Sequence, residues 1–398
     1  MELRTFDRPR SSADWQPGQT GRVTIDPRAI EIPRDLLPVD GRFGCGPSKV
    51  RPEQALALAK ANQQLLGTSH RQAPVKNLVG SIRSGLGTLF DLPEGWEILL
   101  GNGGSTMFWD AATFGLIDEV SAHAVFGEFW SKFAEAAGAA PHLGEPVVVR
   151  AEPGDHPSLD DIAGADVYAL THNETSTGVA MQLRRPSAAS DTALVVADAT
   201  SAAGGLLWDP HEVDVYYFAP QKCFASDGGL WLAACSPKAL DRIRAISAAK
   251  RWMPASLDLK IALDNSVANQ TYNTPALGTL VLLDEQIRWM LDQGGLAWCH
   301  ERCRTSAAAL YGWAESRDWA SPFVADRAKR SAVVGTIDIT GVDATDVCAA
   351  LRANGIVDTD SYRKLGRNQV RVGMFPAVEP SDVVKLTESI DFVVDTLR

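Results

Sequence analysis
Seven short runs, at 97–100, 122–126, 147–149, 167–170, 193–197, 213–218 and 230–234, are almost continuously apolar. A strand with one wet face alternates apolar and polar residues. A strand buried on both faces has no polar side to show. Helix-patterned stretches separate the runs, so the chain predicts an α/β fold, a mostly parallel sheet with helices on both faces. Helices are expected over 52–66, with Pro52 in the first turn and Gly67 beyond the end, and over 75–90. A long apolar helix is expected over 274–290, closed by Gly294-Gly295, and another through Tyr311 and Trp313. The rhythm then changes to a strand near 333–339, a helix over 344–353, a strand near 370–372 and a last helix from Ser381. This reads as a smaller α+β domain. The expected division is an N-terminal arm over 1–40, a large domain over 41–295 and a small domain over 296–398, joined by part of the N-terminal segment.

A length of 398 residues allows two or three domains. The net charge of -11 argues against non-specific nucleic acid binding, while leaving room for local basic pockets that take small anions. No apolar run has the length of a membrane span. The first forty residues mix Arg, Asp, Glu and Pro without the apolar core of a secretory signal. Cysteines at 45, 223, 235, 299, 303 and 348 are scattered, as suits reduced thiols in a cytoplasm. Cys299-His300-x-x-Cys303 has half the look of a metal site, but no second ligand pair lies near it. No metal is expected.

Ligands of a sheet of this kind bind at the carboxyl ends of its strands, so the residues there matter most. The 213–218 run is followed by Ala219-Pro220-Gln221-Lys222, and the 193–197 run by Asp198. An aspartate ending a fully apolar strand needs a cationic partner or a cap, since an unpaired buried charge is costly. A lysine and an aspartate on successive strands suit pyridoxal phosphate. The lysine holds the aldehyde as a Schiff base, and the aspartate pairs with the ring nitrogen. Leu100-Gly-Asn-Gly-Gly104-Ser105-Thr106 lies between a strand and a helix, where glycines and free helical N–H groups accept an anion. It is not a Walker loop and lacks the dinucleotide spacing. Phe129 and Trp130 stand at another strand-to-helix junction, placed either to stack on a planar ring or to fill the core. Thr171-His-Asn-Glu-Thr175-Ser-Thr-Gly178 is a hydroxyl-rich loop that either bonds a ligand oxygen or caps a strand.

In that order, the Gly-Gly-Ser loop, Gly127-x-Phe129, Asn173-Glu-Thr175, Ala197-Asp-Ala-Thr-Ser201, Gln221-Lys222 and Asn273-Thr274-Pro275 resemble the fold-type-I pyridoxal phosphate enzymes. Among these, the class V aminotransferases are the nearest group. Gly46-Pro47-Ser48 and Thr68-Ser-His70-Arg71 make the chain most similar to the phosphoserine aminotransferase family, over about 43–371. The resemblance implies that Lys222 is catalytic and that Asp198 bonds the ring nitrogen. It implies Thr175 on the phenolic side, Phe129 stacked on the ring, and Gly104, Ser105 and Gln221 at the phosphate. Asn273 and Thr274 would reach the phosphate of a neighbouring subunit, which implies a homodimer with shared sites. Arg371 would hold a substrate α-carboxylate, and Arg71 with His70 a distal anion.

The implied reaction moves an amino group between L-glutamate and 3-phosphohydroxypyruvate, for serine and also pyridoxine biosynthesis. The partners are small anionic amino and keto acids, with no membrane or nucleic acid. Some relatives have an arginine where this chain has Ser105, and a His-Arg pair shortly before the final arginine. Here Arg363 and Lys364 are the candidate replacements. Three other readings stand beside this one. They are a class V transaminase acting on alanine, serine or glyoxylate, a cysteine desulfurase, and a non-catalytic protein that kept the fold.

Overall fold
The computed structural model describes residues 25–398, with residues 128–130 described by their backbone alone. Its centre is a seven-stranded sheet, built from β1 (Glu97–Gly103), β2 (Ser121–Val125), β3 (Val147–Arg150), β4 (Val167–Thr171), β7 (Leu194–Asp198), β8 (Val215–Phe218) and β9 (Gly229–Cys235). The strand order is β1-β9-β8-β7-β4-β2-β3. β9 alone runs against the rest, antiparallel to β1 and β8, while the other neighbours pair in parallel. A two-residue antiparallel pair, β5 (Asn173–Glu174) with β6 (Val179–Ala180), projects beyond β4.

Successive residues of the central strands enter opposite cores. Tyr168, Leu170, Val195, Ala197, Tyr216 and Phe218 belong to one. Val167, Ala169, Leu194, Val196, Val215 and Tyr217 belong to the other. This is why the runs show no alternation: both faces of the sheet are dry. On the first face lie α1 (Pro52–Ala61), α2 (Ala73–Leu89), α7 (Leu277–Gln293) and the start of α8 (Gly295–Glu315). On the second lie α3 (Ser105–Gly115), α4 (Glu128–Ala139), α5 (Pro237–Ala248) and α6 (Leu259–Val267).

A separate core gathers the end of α8 around an antiparallel sheet of β10 (Ala320–Pro322), β11 (Val334–Ile339) and β12 (Gln369–Gly373), with α9 (Ala344–Ala353) and α10 (Pro380–Leu397). Ile30, Ile32 and Phe43 are buried in this core, so the described part of the expected arm packs on C-terminal elements. The arm's first 24 residues lie outside the described residues.

Several expected boundaries move, such as the helix expected over 274–290, which spans Leu277–Gln293, and two shifts have clear tertiary reasons. The helix expected over 52–66 stops at Ala61. The N–H groups of Gln64, Leu65 and Leu66 all converge on the Ala61 carbonyl, at 3.2, 2.9 and 3.3 Å, so the helical ladder ceases to advance. The bend seats Leu65 against Val75 and Val281. The strand expected over 97–100 runs on to Gly103, because Gly101, Asn102 and Gly103 pair with Trp231, Leu230 and Gly229. A Cβ on Gly101 would lie 2.2 Å from the Trp231 ring, so glycine makes room for that ring over β1. Part of the expected phosphate loop is therefore strand.

All six cysteines are free and buried. No described helix is long and apolar enough to cross a membrane.

His123 on β2 is wholly buried, with Nε2 2.8 Å from Ser121 Oγ and its ring edge-on to Phe133. Burial pushes its pKa down from 6.5 to about 3. Between those values the unfolded chain binds a proton that the fold does not, so stability falls as pH falls through this window. The loss is about 1.4 kcal/mol per pH unit for this ring. The slope of urea-unfolding free energy against pH between 6 and 4 is expected to flatten by about that amount in His123→Gln; an unchanged slope would refute it.

Candidate active site
The carboxyl ends of β1, β4, β7 and β8 enclose a cavity of about 280 Å³. Gly104, Ser105, Thr175, Asp198, Gln221 and Lys222 all line it. These six come from segments spread over the chain; parallel pairing sets the ends of β4, β7 and β8 side by side, and the antiparallel β9 brings the end of β1 to the same edge.

Lys222 is buried, and its Nζ donates to the Cys45 carbonyl at 2.6 Å. The turn that carries it is pinned from the N-terminal side, since Ser48 Oγ donates to the Lys222 carbonyl at 2.5 Å and Ser48 N–H to the Gln221 carbonyl at 2.9 Å. Gly46 has φ +129°, and a Cβ there would lie 2.3 Å from both Nζ and Cε of Lys222. Glycine is needed on both counts. Burial lowers the lysine's pKa; the Cys45 thiol opposes the shift and Arg371 adds to it. A depressed pKa raises the fraction of neutral amine, the form that attacks a carbonyl.

Asp198 Oδ1 accepts the Thr200 N–H at 2.7 Å, and Oδ2 accepts the Tyr217 hydroxyl at 3.1 Å. Trp109 Nε1 donates to that hydroxyl at 2.9 Å. The partners of this carboxylate among the described residues are thus neutral donors rather than a cation. Burial raises its pKa, and the Thr200 and Tyr217 bonds oppose the rise. A cation entering the cavity would find an anion already oriented to meet it.

Ser105 Oγ and Thr200 Oγ1 lie 2.6 Å apart beside Gly104, at the start of α3. A hydroxyl pair at the free N–H groups of a helix is a cradle for an anion. On the loop after β4, Thr175 Oγ1 donates to Ser201 Oγ at 2.9 Å.

A second chamber of about 490 Å³ adjoins the first. Cys45 and Gly46, which touch the lysine amine, line it together with Tyr362, Arg363, Lys364 and Arg371. Arg371 reaches back to donate to the Thr175 carbonyl at 3.2 Å, and its guanidinium lies 5.6 Å from the Tyr362 ring centre.

The remaining expected residues stand elsewhere. His70, Arg71, Asn273 and Thr274 line neither chamber. Thr274 Oγ1 is 3.1 Å from His70 Nδ1, its carbonyl accepts from Asn102 at 3.1 Å, and Arg71 bonds Gln270. They form a cluster on the surface beside the end of β1. The Phe129 side chain lies outside the described residues, although α4 begins beside β2 as the pattern requires.

Sequence reasoning missed Trp109, Tyr217 and Glu174. Trp109 follows Ser105 by one helical turn, which puts it on the same face of α3 and was the available signal. Tyr217 could not be told from its aromatic neighbours without knowing which face of the sheet holds α3. Glu174 was lost within a polar loop, although it is buried.

The class V aminotransferase family matches residues 148–359. A putative phosphoserine aminotransferase of Mycolicibacterium vanbaalenii is 61% identical over 369 residues, covering 92% of this chain and 99% of that protein. A phosphoserine aminotransferase of Corynebacterium glutamicum is 59% identical over 365 residues, covering 92% and 97%. In fold, the crystal structure of a phosphoserine aminotransferase from Cytophaga hutchinsonii aligns with a TM-score of 0.81 at 24% identity, over 89% of this chain and 99% of that one. With the family match spanning more than half of the chain and relatives this similar over nearly all of it, the chain belongs to the class V aminotransferase family.

Proposed function
We infer that the protein is a phosphoserine aminotransferase, moving an amino group between L-glutamate and 3-phosphohydroxypyruvate to give O-phospho-L-serine and 2-oxoglutarate. The observation that carries this reading is one buried cavity that holds Lys222 and Asp198 and opens toward Arg371. The high identity to proteins named for that activity supports it. Serine biosynthesis in the cytoplasm would be its setting.

The residues fit pyridoxal 5'-phosphate. Around the cavity, Gln221 Oε1, Asn173 Oδ1 and Thr171 Oγ1 are buried without a hydrogen-bond partner among the described residues, a costly state that a polar occupant relieves. When bound, this cofactor supplies an aldehyde that an amine can join and a pyridinium ring that withdraws electrons from the adjoining carbon. Lys222 Nζ would hold it, and would carry the proton between the amino acid's Cα and the former aldehyde carbon. Asp198 would keep the ring nitrogen protonated, with Tyr217 and Trp109 fixing the carboxylate's orientation. Ser105, Thr200 and the N–H groups of α3 would take the phosphate, and Thr175 the phenolic side.

Arg371 would grip the substrate α-carboxylate, since a planar guanidinium matches two carboxylate oxygens. Its Nε is buried and unpartnered among the described residues. Arg363 and Lys364, on the wall of the second chamber, would meet the distal phosphate. Losing a hydrogen bond between charged groups costs about 1.5–3 kcal/mol. Arg371→Gln is therefore expected to lower kcat/KM for glutamate and phosphoserine by about 10- to 100-fold, with the cofactor's visible band unchanged. A band lost with the arginine would assign it to the cofactor instead.

His70, Arg71, Asn273 and Thr274 would complete the site of a second copy, which makes the working unit a homodimer. Inactive Lys222→Ala and Arg71→Ala proteins, unfolded and refolded together, are then expected to regain about a quarter of wild-type activity, because half of the dimers are mixed and each has one intact site. No recovery would place Arg71 in its own chain's site, and an active Arg71→Ala protein would place it outside any.

The test of the whole reading is the visible spectrum of the purified protein before and after phosphoserine, with alanine as the comparison. Phosphoserine alone should discharge the band. Discharge by alanine alone would reassign the substrate, and a colourless protein that takes up no added cofactor would refute the reading.

A further inference from the structure
Glu174, on β5, is a buried carboxyl group in the wall of the Lys222 cavity that the reaction outlined above does not use. Its Oε1 accepts two hydrogen bonds from Ser176, from the N–H at 2.9 Å and from the hydroxyl at 2.7 Å. Its Oε2 has no partner among the described residues. The carboxyl packs against Gly127, which caps the 12-residue helix α4. A Cβ at Gly127 would lie 2.5 Å from Oε2 and 2.3 Å from Cδ, so only glycine admits the group there.

A carboxyl in this position is under opposing influences. The two Ser176 donors and the positive end of α4 favour the anion. Burial favours the neutral acid and raises its pKa, as does neighbouring Asp198, while Lys222 opposes them. No arginine or lysine forms an ion pair with Glu174 among the described residues; what it shares the cavity with is the amine of Lys222. That amine is also faced by Asp198, by the Cys45 thiol and by Arg371.

We propose that Glu174 is a positioning residue of the site, a second buried carboxylate that acts with Asp198 to govern the charge carried by Lys222. Asp198 is directed by Tyr217 and Trp109 on one strand end, and Glu174 by Ser176 and α4 on another. The two anions offset the positive charge of Arg371 in the adjoining chamber. Without Glu174, a protonated nitrogen at the lysine is less favoured, and the neutral form gains.

The inference rests on Lys222 joining the cofactor, and the experiment separates the two. Wild-type protein loaded with pyridoxal phosphate is titrated with base while the pH-sensitive visible band is followed, alongside Glu174→Gln. The substitution keeps size and an acceptor for Ser176 but removes the charge. A charge across a small buried cavity is worth about one pH unit at the lysine, so the midpoint in Glu174→Gln is expected to fall by about that much. Ser176→Ala, which takes one donor from Oε1, is expected to move it the same way by less, and gives the answer if Glu174→Gln fails to fold. A midpoint unmoved in both variants overturns the proposal, even if cofactor affinity or the thermal midpoint of the apo-protein falls, for that is what a purely structural residue would do. A wild-type protein without a visible band would instead overturn the cofactor reading itself.

Discussion
Lys222→Ala is expected to lower the rate of transamination by on the order of 10³-fold or more, the upper part of the range for removing a positioned acid–base group, and to abolish covalent retention of the cofactor. Lys222 is the only lysine among the described residues lining the cavity, so no other lysine there can take over its attachment. Its amine is poised rather than stabilised. It has the Cys45 carbonyl at 2.6 Å but no ion-pair partner among the described residues, and burial lowers its pKa. Lys222→Arg is expected to fail equally, because a guanidinium keeps its proton and has no free lone pair. Small primary amines added to Lys222→Ala should restore part of the proton transfer, since the deletion leaves room for them. Stability should move differently from activity. Lys222→Met removes a buried polar group, so the thermal midpoint of the apo-protein is expected to stay level or rise. Borohydride reduction followed by intact-mass measurement checks the covalent link, and cofactor retained through reduction in Lys222→Ala would refute the assignment.

Asp198→Asn should come next, with kcat falling on the order of 10²- to 10³-fold while the folded protein still takes up cofactor. The amide keeps the carboxylate's shape and can still accept the Thr200 N–H, but it carries no charge to hold a proton on a ring nitrogen. Thr200, Tyr217 and Trp109 are already arranged about the carboxylate, so the anion is oriented before anything binds and needs no reorganisation during the reaction. The linkage sign follows from burial. Its pKa is raised in the fold, so in the empty protein the unpaired carboxylate detracts from stability above its unfolded pKa. A bound cation reverses this, and cofactor should therefore raise the thermal midpoint of wild type more than that of Asp198→Asn. Equal increments in the two proteins, or unchanged kcat, would rule out the proposed pairing.

Much of the layered domain was legible because its strands are buried on both faces, a condition that leaves a continuous apolar run. The ends of elements were less so. α1 ends where Leu65 finds Val75 and Val281, and β1 extends because Trp231 crosses over Gly101. Val281 and Trp231 are both far away in sequence. Among the site residues, Lys222, Asp198, Gln221, Thr175, Gly104 and Ser105 could be read because each follows a recognisable strand, and strand ends in a parallel sheet share one edge. Tyr217, Trp109 and Glu174 could not, since their roles depend on which side of the sheet each faces and on what packs there.

The sequence by itself therefore determined the class of fold and the edge of the sheet where chemistry would sit, through local patterns of burial and turn residues. Only the tertiary structure decided that Cys45 and Gly46 would meet the Lys222 amine and that Arg371, from the adjoining chamber, would reach the Thr175 carbonyl on the cavity wall. Those meetings depend on β12 and the Phe43–Gly44 backbone pairing in the second core, where the Gly373 N–H bonds the Phe43 carbonyl at 2.7 Å, two residues before Cys45 enters the first core. No preference of a single segment encodes them. The packing of the second core sets the distance, and that distance brings the arginine to the lysine.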